Sequence, residues 1–228
     1  MSSDPTMDRT TRMLLICGAL AGPLFTIAWF VESFLHSNYD SMRHAVSSLS
    51  VGEFGWAQDA SFVLTGILTL ALSFGIWSAL RSHRGLPWGP ILLTIAGIGF
   101  IGSGFFTTDP LNGYPPATPP VPVPPTRSGW LHLLFAALIF GLPAAGLLFA
   151  RYFDDQNERK WAVYTRVTAI TFITLYLVTV AGFLQVAGLA NYAGLLQRIS
   201  LTIILIWMTL LPTHLLNALS NSQAMGRN

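Results

Sequence analysis

Residues 13–31 read MLLICGALAGPLFTIAWFV. Two arginines, Arg9 and Arg12, precede this run, which invites comparison with a secretory leader. The run is longer than the apolar core of a leader, and no small-residue cleavage site follows it. It reads instead as an uncleaved membrane span, because roughly 20 apolar residues cross a bilayer core. Five further segments meet the same test. The expected spans cover residues 12–33, 57–80, 87–106, 130–151, 161–186 and 195–216. The expected fold is all-α: a polytopic membrane protein built as a six-transmembrane-helix bundle, one membrane domain over residues 1–228 with long loops at 34–56 and 107–129.

Composition supports this class. Only 10% of residues are charged and 52% are hydrophobic, with a mean hydropathy of +0.55. A soluble domain carries about 25% charge. A net charge of +2 offers no footing for nucleic acid. Cys17 is the single cysteine, so no disulfide forms within the chain. Span three carries Gly97, Gly99, Gly102 and Gly104, and span one carries Gly18 and Gly22. Small residues at this spacing let membrane helices approach closely.

Orientation follows from lysine and arginine in short loops. Of the 12 such residues, nine (Arg9, Arg12, Arg81, Arg84, Arg151, Arg159, Lys160, Arg166, Arg227) fall on one side, leaving Arg43, Arg127 and Arg198 on the other. Both termini are therefore expected in the cytoplasm, with the chain multi-pass in the cell (plasma) membrane. Trp29, Trp56 and Trp130 are expected at the outer interface and Trp77, Trp88 and Trp161 at the inner one, as aromatic belts.

The polar residues gather at the outer end. Residues 36–59 read HSNYDSMRHAVSSLSVGEFGWAQD and concentrate His36, Asp40, Arg43, His44, Glu53 and Asp59. The second outer loop runs Asp109-Pro110-Leu111-Asn112-Gly113-Tyr114 and then PPATPPVPVPP from Pro115 to Pro125. Proline at this density favours an extended, semi-rigid conformation, which could lie across the bundle mouth as a strap. No repeat relates the two halves, so an inverted-repeat transporter is not supported.

The segment His44-Ala45-Val46-Ser47-Ser48-Leu49-Ser50, followed by Gly52 and Gly55-Trp56, resembles the signature of domain-of-unknown-function family 998. Phe105-Phe106-Thr107-Thr108-Asp109-Pro110, followed by Gly129-Trp130-Leu131-His132, is similar to that family's second signature. The resemblance covers essentially the whole chain. It implies a six-span membrane fold of bacterial or archaeal type and implies no activity.

The chemistry must come from the residues. Glu32, Asp59, Asp109, His132, Gln185 and Arg198 place one polar group at the outer end of each span. An ionisable group at the edge of hydrocarbon is costly and marks a functional site by default. Asp109 and Asp59 are the candidate acids, and His44 or His132 the candidate base, of general acid–base chemistry. Arg43 and Arg127 could hold a phosphate or other anion. Ser47, Ser48, Glu32 and Arg198 complete the candidate substrate-binding set. Taken singly, each has a plainer role: Asp59 complements a helix dipole, Arg198 snorkels to headgroups, and Ser47 and Ser48 cap a turn.

Several templates are missing. There is no H-E-x-x-H or phosphate-cradling loop, and Ser103 lies in Gly-Ser-Gly without a nucleophile elbow. Zinc accepts imidazole and carboxylate, so His36, His44 and His132 with Asp109 or Asp59 form a possible metal set. Their spacing matches no ligand pattern, and neither metal nor cofactor is assigned. Three functions stay open: an enzyme or binding site for a lipid or isoprenoid-like ligand, a small-solute or proton carrier, and a non-catalytic membrane accessory protein.

Overall fold

A computed structural model describes residues 8–80, 87–119 and 124–225. The expected loop at 81–86 with Arg81 and Arg84, residues 120–123 of the proline run, and Arg227 lie outside the described residues. Seven α-helices make six spans: α1 (Arg9–Leu35), α2 (Gly55–Leu80), α3 (Trp88–Phe105), α4 (Arg127–Leu138) with α5 (Gly141–Asp155), α6 (Arg159–Phe183) and α7 (Ala193–Met225). No strand occurs among the described residues.

The span expected at 130–151 is broken in two, and Pro143 supplies the reason. Proline has no N–H to donate one turn back. The Ile139 carbonyl that it would have served instead accepts from Leu142 N–H at 2.9 Å, tightening the chain into a turn at residues 139–140. The last helix also runs past the expected end at 216, to Met225.

Each helix packs on its sequence neighbours, and α7 packs back on α1, so the six spans close a ring in chain order. Leu15, Leu72, Ile76, Leu93, Leu142 and Phe149 are fully buried within it. Large apolar side chains such as Ile27, Phe30, Phe74, Val167 and Leu177 face outward, as a lipid-facing surface requires. The glycines allow the ring to be tight. A Cβ on Gly66 would come 2.6 Å from the Gly97 carbonyl oxygen, so α2 and α3 touch backbone to backbone. Gly18 and Gly22 serve different neighbours: Gly18 faces Leu72 of α2, and Gly22 faces the Leu205 carbonyl of α7.

Of the expected belt tryptophans, Trp56, Trp130, Trp88 and Trp77 are exposed. Trp29 departs from expectation: it is buried, with the Arg198 guanidinium carbon 5.4 Å from its ring centroid. A buried guanidinium favours an aromatic face, and that attraction turns the indole inward. Trp207 is fully buried, its Nε1 donating to Thr165 Oγ1 at 3.2 Å.

Candidate functional site

Both long loops lie at one end of the ring, called the loop end below. Three layers build the site there. Its floor is aromatic. Phe25 of α1, Phe62 of α2 and Phe100 of α3 pack in tilted and edge-on contacts, with ring centroids 5.1, 5.5 and 6.4 Å apart. Below them the core is mostly apolar, with Thr65, Thr69 and Ser73 the buried polar side chains of α2.

The cap is a short 3-10 helix, Val46–Val51, lowered into the mouth of the ring. Val46 and Leu49 anchor it, buried among the span residues. Gln197 of α7 accepts from Val46 N–H at 2.7 Å. Arg198 holds the chain leading into the cap: its Nη1 donates to the carbonyls of Ser41 (2.8 Å), His44 (2.9 Å) and Gly194 (3.0 Å), and its Nη2 to the Tyr39 hydroxyl. Arg198 is therefore a buried pin rather than a snorkelling surface charge. Gly194 permits this docking, because a Cβ there would strike the backbone of His44 and Ser41.

The second loop locks over the first. Tyr114 sits against Tyr39 (5.3 Å) and His44 (5.1 Å), and its hydroxyl meets His36 Nδ1 at 3.1 Å. Asn112 Oδ1 accepts from Gln185 Nε2 of the α6–α7 connection at 2.7 Å. What crosses the mouth is thus the turn Leu111–Tyr114, closed by its own paired backbone bonds. Burial pulls the His36 and His44 imidazoles below the ordinary histidine range, with Glu53 and Asp40 respectively pulling the other way. Burial pushes the Tyr39 hydroxyl up to about 12, against the opposing Arg198 charge.

Between floor and cap lies a cavity of about 50 Å³, lined by Ser47, Ser103, His132, Tyr176, Gln197 and apolar neighbours. His132, in α4, is almost fully buried. Its Nδ1 contacts the carbonyl oxygens of Phe106 (2.8 Å) and Ser103 (3.2 Å). Carbonyls only accept, so Nδ1 carries the proton and Nε2 presents a lone pair. The ring is one of those that line the cavity.

Several buried polar atoms at this end of the ring are unpaired, and one of them, Ser103 Oγ, belongs to a residue that lines the cavity. Trp29 Nε1, Glu32 Oε2, both amide atoms of Gln58 and Ser103 Oγ are buried without a hydrogen-bond partner. Asp59 lies beside Ser50 and within electrostatic reach of both Glu32 and His132. Leaving one buried polar group unpaired costs about 1–3 kcal/mol. The chamber wall itself offers both donors and acceptors, from Ser47, Ser103, His132 and Gln197.

The expected site residues divide into three groups. His132 and Ser47 line the chamber, Ser48 belongs to its cap, and Asp59 lies within electrostatic reach of His132 and of Glu32. His44, Arg198 and Asp109 spend their hydrogen bonds on the scaffold. His44 Nδ1 accepts from Asp40 N–H at 2.9 Å, and its ring also bonds the Asn112 backbone. Asp109 accepts from Thr126 N–H (2.8 Å) and Thr126 Oγ1 (2.6 Å), fastening the second loop to the start of α4, while staying within electrostatic reach of His132. Arg43 and Arg127 sit at the rim without an ion pair among the described residues. No group of three or more His, Cys, Asp or Glu side chains gathers as a metal site among the described residues, and His36 is held apart from His132, up by Tyr114. Sequence reasoning missed Trp29, Gln58, Tyr176 and Gln197. Gln58 was legible, as an amide one helical turn before Phe62 on the face of α2 that turns inward.

A family model described as "Protein of unknown function (DUF998)" matches residues 19–214, most of the chain. The chain belongs to the DUF998 family. The match runs through the DUF998 chain from α1 to α7 and takes in the cap, the Asp109 lock and His132. Neither the curated proteins nor the solved structures hold a match to it.

Proposed function

We propose that the protein binds the polar end of a lipid or isoprenoid-like molecule in the capped chamber and performs acid–base chemistry on it there. The observation that supports this reading is His132: a buried imidazole whose tautomer is set by two carbonyls, which leaves Nε2 the unprotonated nitrogen, and whose ring lines a cavity. A general base needs such a free lone pair within reach of the proton it takes. Asp59, within electrostatic reach of His132 and of Glu32, supplies the acid. Ser47, Ser103 and Gln197 orient the guest. Arg43 and Arg127 draw an anionic group to the rim. His44, Arg198, Ser48 and Asp109 hold the cap and the α4 terminus in register, so they act as positioning residues.

The chamber admits only a few heavy atoms, so the apolar remainder of the ligand stays in the surrounding lipid. The lysine and arginine distribution favours the loop end on the extracytoplasmic side of the plasma membrane, with both termini in the cytoplasm. The packed floor of Phe25, Phe62 and Phe100 favours a site reached from one end over a carrier, which needs a polar path through the ring.

The test is native mass spectrometry of the purified chain with extraction of what it holds, together with lipid profiles of cells expressing wild type, His132→Gln or Glu32→Gln. A ligand bound by wild type, with an unreacted species accumulating in the His132→Gln cells, is the expected result. Identical occupancy and identical profiles in all three would remove the proposal.

A further inference from the structure

The end of the ring opposite the chamber carries a second feature. Where α6 meets α7, a groove of about 290 Å³ is lined by Lys160, Trp161, Tyr164 and Leu210. Leu210 also walls a groove of about 340 Å³ between α7 and α1, which runs on past Ile206 to Thr202. The two form a seam down the lipid-facing side of α7. On α7 the seam runs from Leu210 to Thr202, about 12 Å at 1.5 Å per residue. One leaflet of a bilayer core is about 15 Å deep.

The wall at the mouth is pre-organised. His214 Nε2 meets Glu158 Oε2 at 2.5 Å, and the Trp161 ring lies stacked 4.1 Å from the His214 ring. Tyr164 meets the indole edge-on at 5.5 Å. A rigid aromatic wall binds with less ordering cost than a mobile one. Lys160, the chain's only lysine, is exposed at the mouth and makes no ion pair among the described residues. Of the acids in the preceding turn, Asp154 and Glu158 are already engaged, by Arg166 and His214, and Asp155 is exposed to solvent. A free cation at the lip, interfacial aromatics below it and an apolar slot most of a leaflet deep match one kind of occupant.

We infer that this seam is a binding site for one anionic phospholipid of the membrane, with its phosphodiester on Lys160 and one acyl chain running past Trp161, Tyr164 and Leu210 between α7 and α1. The site is separate from the chamber and does not depend on the reading of His132. A juxtamembrane lysine favours anionic lipid by about 1 kcal/mol, which is about fivefold in affinity.

The experiment is native mass spectrometry of the delipidated full chain titrated with phosphatidylglycerol or phosphatidylcholine of the same chain length. Wild type is expected to keep one phosphatidylglycerol about fivefold more readily than phosphatidylcholine. Lys160→Gln, an exposed change, should bring the two to equality. Leu210→Trp, which fills the seam, should weaken both, with thermal unfolding confirming an intact fold. Equal retention of the two lipids by wild type overturns the inference, as does an unchanged preference in Lys160→Gln. Dihexanoyl phosphatidylglycerol binding as tightly as the long-chain lipid overturns it too, since the acyl slot would then be idle.

Discussion

A single guanidinium organises much of the loop end. Arg198 reaches three backbone carbonyls and a tyrosine hydroxyl from one buried position. Lysine offers one compact ammonium in place of a planar fork, so Arg198→Lys should cost about 2–3 kcal/mol, read as a lowered unfolding midpoint in detergent. The histidines of the roof give a pH dependence. Burial holds His36 and His44 below their ordinary value of 6.5 in the folded chain. On acidification the unfolded or opened loop takes up protons first, so stability is full above about pH 6.5 and is lost as pH falls below it. Hydrogen exchange of residues 39–52, corrected for intrinsic rates, should quicken between about pH 7 and pH 5.5. Protection that rises on acidification would contradict this. At this scale the sequence named His132, Asp59 and Glu32 correctly as residues of one end. It did not separate His132, whose ring lines the cavity, from His44, whose nitrogens are both taken. That difference rests on which carbonyls stand opposite, and these belong to other segments of the chain.

Elements were more legible than their joints. Apolar run length alone placed all six spans, because satisfying the backbone in hydrocarbon leaves a helix as the simplest solution. The break at residues 139–140 follows from Pro143, a local signal present in the sequence. The short helix Val46–Val51 did not follow, because its apolar residues, Val46 and Leu49, are too few to form a periodic pattern and find their partners only in α1, α2 and α7. Two changes test how the loops are docked. Gly194→Val should displace the first loop, since any Cβ there meets the backbone of His44. A cysteine at position 47 in that background should become reactive to maleimide, while the same cysteine with Gly194 intact stays slow. Asp109→Ala removes both bonds to Thr126. It should cost about 1–2 kcal/mol and loosen the first turn of α4, seen as faster amide exchange in residues 127–131. Unchanged exchange there would mean that Thr126 alone caps the helix.

The whole molecule is a ring closed by α7 returning to α1, with a chamber at one end and a lipid-facing seam towards the other. Sidedness is a property of this scale and can be read directly. With Cys17→Ser as background, Phe54→Cys should react in intact cells with a membrane-impermeant maleimide, and Gln156→Cys only after lysis. Both positions are exposed, at opposite ends. The reverse pattern would put the chamber on the cytoplasmic side and undo the proposed access. The apolar interior predicts in addition that proteoliposomes show no more proton or solute leak than empty vesicles. A flux lost in His132→Gln would instead favour the carrier.

Composition and apolar run length were sufficient for the class of the protein, its number of spans and the clustering of its polar groups at one end, because each follows from the cost of placing charge and bare backbone in hydrocarbon. The ring closure, the lowered cap and the division of labour among the polar residues came only from the folded chain. They depend on pairings between segments more than a hundred residues apart, such as Val46 with Gln197 and Ser41 with Arg198, and no local pattern in the chain encodes which buried hydrogen bonds are already taken.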